Sequence, residues 1–138
     1  MIAVVVSPKD FLEKYGANHH EMFPDKAELD VANADGVILV EKQGSVIAYS
    51  TFKDLGDESV YLAFGGSFKE SRGSFSIVTA FNKILETIFE VKKEIFFNVK
   101  NTNFPMLKLA WKFGFIINGL HVTPEGHVLL SHILRRPN

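Results

Sequence analysis

Five histidines are the residues in this chain with the most to offer chemically, as metal ligands or as bases near neutral pH. His19 and His20 are adjacent, so on a helix they cannot both face one site. His127 and His132 stand five apart in a stretch that reads as a strand, which sets them on opposite faces. Neither pair has the spacing of metal ligands, and there is no cysteine to complete a site, form a disulfide or supply a thiolate. No metal is expected. Arg72-Gly73-Ser74 opens the longest helical pattern in the chain. Free N–H groups at a helix start attract anions and a glycine lets one come close, although a solvated loop has the same composition. Asn103 leads NFPMLKLAWKFGF, which has a cap, a proline at the helix start and a stop at Gly114-Phe115. An ordinary capped helix would look the same.

The elements that must position these residues follow from periodicity and punctuation. Ile2 to Val6 is β-branched and apolar, a buried strand. Ser7-Pro8-Lys9-Asp10 announces a helix to about Tyr15, ended by Gly16. A second helical piece covers about His19 to Ala32, split or restarted at Pro24. Asp35-Gly36, Gln43-Gly44 and Leu55-Gly56-Asp57 punctuate three strands, Val37 to Glu41, Ser45 to Lys53 and Ser59 to Phe64. Gly65-Gly66 then suggests a bulge or a splayed strand end. Ile77, Val78, Phe81, Ile84, Leu85, Ile88 and Phe89 recur at helical spacing within a helix from Ser74 to Glu90. The strand Ile95 to Val99, the helix Pro105 to Phe113 and the strands Phe115 to Leu120 and His127 to Leu134 complete the chain. The expected fold is α/β. Its sheet is mixed and mostly antiparallel, with one parallel pair, Ser59 to Phe64 beside Ile95 to Val99, and helices on both faces.

This order of elements resembles the GNAT superfamily of acyl-CoA-dependent N-acyltransferases over nearly the whole chain. The specific part is Asn103, the short helix, Gly114 and Phe115 at matching spacing. The resemblance implies acetyl-CoA lying in a V between the two parallel strands and an amine attacking its thioester directly. Backbone N–H groups at Ala63 and Phe64 would polarise the carbonyl, and Arg72, Gly73 and Ser74 would meet the pyrophosphate. Asn103 belongs to the same cofactor-binding set. His20 or Glu21 would serve as general base for a small-molecule or protein amine. Three positions depart from the pattern: Phe75 and Ile77 stand where small residues are usual, and Ala110 replaces the tyrosine that commonly protonates the departing thiolate. Trp111 beside it has no acidic proton for that role. These departures raise a second expectation, a GNAT-fold protein that has lost catalysis and serves in binding or assembly. The proportions of the chain, with its His-His pair and brief final hairpin, also resemble small acetyltransferase-like proteins of tailed bacteriophages.

Composition narrows the classes further. The 138 residues suit one domain spanning 1–138, and 46% hydrophobic residues with 13 Phe give it an aromatic core. A net charge of −1 and a pI near 6.5 argue against a basic nucleic-acid or membrane-surface binder. The same neutrality counts against an RNA-binding open sheet built around Phe96 and Phe97. The apolar start MIAVVV is too short to span a bilayer and lacks a basic flank. A cytoplasmic protein is expected, with a homodimer or a protein partner through exposed Phe residues.

Overall fold

The computed structural model describes residues 1–24, 27–56, 58–68 and 77–137, with only the backbone of 27–29. In chain order the elements are β1 (Ile2–Val6), α1 (Pro8–Met22), α2 (Ala27–Ala32), β2 (Gly36–Lys42), β3 (Ser45–Asp54), β4 (Ser59–Ser67), α3 (Ile77–Phe89), β5 (Glu94–Lys100), α4 (Phe104–Lys112), β6 (Ile116–Val122) and β7 (Val128–Arg135). The strands form one sheet in the order β1-β2-β3-β4-β5-β7-β6. Every neighbouring pair is antiparallel except β4 and β5.

Alternation along β2 divides the interior in two. Ile38 and Val40 face one side, where Val60, Leu62, Ile95 and Phe97 meet Ala80, Phe81, Ile84, Leu85 and Ile88 of α3 and Ala110 of α4. Val37 and Leu39 face the other, where Phe11 of α1, Val31 of α2, Tyr49 and Phe68 pack. Each of the Val, Leu, Ile and Phe side chains among them, taken fully out of water, contributes about 1.5–3 kcal/mol. The sheet therefore carries helices on both faces, as the sequence predicts.

Four of the differences from the sequence-based boundaries bear on the site. First, α1 does not end at Gly16 but runs on to Met22, so His19 and His20 lie in it and α2 is a separate six-residue helix. Ser7 caps α1, its hydroxyl accepting from the Asp10 N–H at 3.1 Å. The stop comes at Phe23, followed by Pro24, whose ring cannot continue the hydrogen-bond ladder. Second, β4 passes through Gly65-Gly66 to Ser67, and its bulge lies one step earlier. Third, Gly36 belongs to β2. Fourth, His127 precedes β7, while His132 lies within it, buried and stacked on Phe97 at 5.2 Å between ring centres. The head of the long helix, Ser74 to Ser76, lies outside the described residues.

Candidate active site at the β4/β5 seam

β4 and β5 share three rungs, Ser59↔Glu94, Val60↔Ile95 and Tyr61↔Phe96. Beyond them β4 continues to Ser67 and β5 to Lys100 with no further pairing between the two, so a V opens. The base of the seam is tied by the Lys93 and Glu94 N–H groups, which both donate to the Glu58 carbonyl at 2.8 and 2.9 Å. The Ser59 hydroxyl adds a bond to Glu94 Oε1 at 3.3 Å. Just past the last rung Asn98 Nδ2 donates across the opening to Tyr61 Oη at 3.1 Å. The register puts Tyr61 and Asn98 on the sheet face away from α3.

On the β4 side of the V the ladder to β3 slips. Ser50 faces Gly65 and Phe52 faces Leu62, so Ala63 and Phe64 together stand opposite Thr51. Such a bulge turns a backbone group out of the ladder. Here the Phe64 N–H donates to the fully buried Thr51 Oγ1 at 3.0 Å, and Ala63 is exposed. Gly65 sits where β3 comes closest. A Cβ added there would stand 2.8 Å from the Tyr49 carbonyl oxygen.

The C-terminal end of α1 lies against this bulge. His19 is fully buried, its Nδ1 sharing a short hydrogen bond with Tyr49 Oη. Its ring meets Phe64 edge-on at 5.8 Å and Phe23 at 5.1 Å, and Phe23 in turn meets Phe64. His20 and Glu21, the residues singled out as bases, are exposed on the same turn. The buried histidine of the pair is therefore His19, which sequence reasoning passed over. The signal was present: Phe11, Tyr15 and His19 are spaced i, i+4, i+8 and share one helix face.

Burial raises the Tyr49 pKa well above its ordinary 10.0. The folded protein keeps this hydroxyl protonated where an unfolded chain would begin to ionise it. The stabilisation is therefore complete below pH 10 and falls as pH rises from there towards the folded value. Urea unfolding is expected to lose about 1.4 kcal/mol per pH unit from this group in that window. In Tyr49→Phe that part of the slope disappears; an unchanged slope would remove Tyr49 as its source.

The other candidates fall as follows. Asn103 caps α4, its side-chain oxygen accepting from the Met106 N–H at 3.3 Å. Gly114 closes the helix with φ +86°, which lets the Phe115 N–H reach back to the Ala110 carbonyl at 3.0 Å. Ala110 is fully buried in the core under α3, while Trp111 is 83% exposed. No residue of α4, FPMLKLAWK, carries a hydroxyl, thiol or imidazole. Arg72, Gly73, Ser74 and Phe75 lie outside the described residues, whereas Ile77 is exposed at the start of α3. A groove of about 510 Å³ lies elsewhere, lined by Asn82, Glu86, Glu90, Phe113 and Arg136 among others. Among the described residues no three His, Cys, Asp or Glu side chains gather as metal ligands would, and no helix is long and apolar enough to cross a membrane.

No protein-family model matches the sequence, and no curated protein sequence matches it. Solved structures do match in shape. A GNAT-family acetyltransferase from Bacillus cereus superposes with a TM-score of 0.76 at 14% identity, covering 100% of both chains. Ard1 from Thermoplasma volcanium gives 0.74 at 13% identity, again covering 100% of both. A variant of the spermidine N-acetyltransferase SpeG from Vibrio cholerae gives 0.72 at 15% identity over 98% of this chain and 95% of that one. The seven-stranded sheet with its single parallel pair is thus consistent with the GNAT acetyltransferase fold.

Proposed function

We propose that the chain is an N-acyltransferase that moves the acetyl group of acetyl-CoA to an amine by direct attack. The observation that supports this reading most is the seam: three rungs, then an opening with a β-bulge on its β4 side. That shape suits an extended thioester arm, and Ala63 is exposed where the arm would lie. Bound acetyl-CoA would supply the acyl group already activated as a thioester.

The chain's own residues would orient and polarise. Ala63 and Phe64 present the bulge backbone to the acyl carbonyl, and the Phe64 N–H is held in direction by Thr51 Oγ1. That N–H serves a carbonyl only by releasing or sharing Thr51. Arg72, Gly73 and Ser74, ahead of α3, would meet the pyrophosphate, with Asn103 in the same cofactor-binding set. His20 and Glu21, on the exposed side of the α1 end, would take the proton of a small-molecule or protein amine. Tyr61 Oη, fixed by Asn98 where the V begins to open, is a hydroxyl at the seam in a chain whose α4 has none. A cytoplasmic setting goes with this reading.

A second reading, a GNAT-fold binding or assembly component of the phage-like kind, is favoured by Ala110. It is buried where the usual acid would stand, and the Phe64 N–H already has an acceptor. Calorimetric titration with acetyl-CoA, with desulfo-CoA as control, separates the two. Micromolar binding is expected, followed by acetylation in an amine screen. No heat at millimolar cofactor would overturn the enzyme reading and leave the second.

A further inference from the structure

The near-neutral charge of the whole chain hides a local asymmetry. From Ile95 to Pro124 there is no Asp or Glu, while Lys100, Lys108 and Lys112 all fall in that stretch. It covers β5 almost entirely, then α4 and β6. The three lysines are exposed, and among the described residues none of them enters an ion pair. Of the acids that border the stretch, Glu94 is already paired with Arg135 at 3.0 Å, and Glu125 lies in the turn between β6 and β7.

α4 turns part of this basic region outward. At about 100° per residue, Phe104, Lys108, Trp111 and Lys112 share an arc of about 100°. Met106, Leu109 and Ala110 lie on the other side, packed on the core. Phe104 is 63% exposed and Trp111 83%, although a ring of either kind can bury about 150–250 Å². The two stand about 10 Å apart along the helix axis, so one flat surface can meet both at once. The lysines flank them on one side. Rings at headgroup level with lysines reaching for anionic groups are the pattern of an interfacial helix.

We propose that the outward face of α4 docks the protein on a bilayer surface rich in anionic lipid. Phe104 and Trp111 enter the headgroup layer, and Lys100, Lys108 and Lys112 meet the negative headgroups. Charge complementarity selects this occupant. A second copy would bring its own lysines against these, with no acid on either helix to receive them. A single-stranded nucleic acid could stack on the rings, but it calls for a groove that tracks its backbone, and a helix face bulges outward. Two rings and three lysines give reversible attachment rather than insertion. The docking is independent of acyl transfer and holds for a catalytic or a non-catalytic protein.

Trp111 is the one tryptophan of the chain, so its emission reports contact directly. The full chain is mixed with vesicles of equal parts phosphatidylserine and phosphatidylcholine. A blue shift of the emission and cosedimentation with the vesicles are expected, both lost in high salt. Vesicles of phosphatidylcholine alone should give neither. Lys108→Gln and Lys112→Gln, made together, are expected to weaken partition about thirtyfold, from about fivefold for each lysine. Phe104→Ala with Trp111→Ala, followed by cosedimentation, should also lose binding. Lys9→Gln with Lys53→Gln, at exposed positions outside the stretch, is the control and should bind as the wild type does. The four substituted α4 side chains face solvent, so circular dichroism should not change; if the aromatic pair misfolds, the lysine pair decides alone. A wild type that ignores anionic vesicles overturns the proposal, as does equal partition onto phosphatidylcholine alone or undiminished binding by the lysine variant. Quenching of Trp111 by oligo(dT), in a wild type that leaves the vesicles alone, would overturn it in favour of a nucleic acid.

Discussion

Phe97→Ala is expected to destabilise the protein by about 3–5 kcal/mol in urea unfolding, enough to threaten folding outright. Phe97 is 4% exposed on β5. Its ring meets Phe115 at 4.5 Å and Phe81 at 6.4 Å, both edge-on, and lies flat on His132 at 5.2 Å. These partners come from α3, from β7 and from the residue just before β6, so one side chain ties α3, β7 and the approach to β6 to the strand that forms one wall of the V. The neighbours belong to a packed sheet and cannot collapse into the space, so the cavity penalty adds to the lost burial. Phe104→Ala, at a 63% exposed position, is expected to change stability by no more than about 0.5 kcal/mol. If the two variants unfold alike, the core does not centre on Phe97.

Gly65→Val should be the other costly change, at about 1–3 kcal/mol. Its new Cβ would stand 2.8 Å from the Tyr49 carbonyl oxygen and 3.3 Å from Ser50 Cα. Both are backbone, so β3 and β4 must part next to the bulge. The Thr51–Phe64 bond spans that gap, and on the acyltransferase reading acetyl-CoA binding weakens by about tenfold, ~1.4 kcal/mol. Gly66→Ala makes the contrast. There the new Cβ would meet Met22 Sδ at 3.0 Å, the mobile part of a long side chain that can turn aside. Equal loss of stability in the two variants would show that the crowding at Gly65 is relieved at no cost.

Much of the sheet was legible because its strands announce themselves locally. β2 is a continuous apolar run, α3 repeats at helical spacing, and Gly114 ends α4 with the positive φ that only glycine takes readily. Gly16 misled for the opposite reason. It lies inside the helix, where the packing of Phe11, Tyr15 and His19 on the sheet outweighs the ~1 kcal/mol that glycine costs there. The GNAT fold could be read from the element order. The tie between α1 and the bulge could not, since His19 meets Tyr49 and Phe64 across 30 and 45 residues of chain, and no local pattern records that contact. Nor could the engagement of the Phe64 N–H, because a hydroxyl that fills a bulge is set by sheet register rather than by residue type.

The seam also decides where the molecule is mechanically weak. β5 and β7 share seven rungs, whereas β4 and β5 share three. The first residues of the chain lie in β1 and the last described ones follow β7, so tension between the two ends must cross from one half of the sheet to the other. The load falls on three backbone rungs, the Glu58 carbonyl's bonds to the Lys93 and Glu94 N–H groups, the Lys92 contacts to Asp54 and Gly56, the Ser59–Glu94 and Tyr61–Asn98 bridges and the core beneath α3. Under traction the sheet should tear there first, into plates of four and three strands.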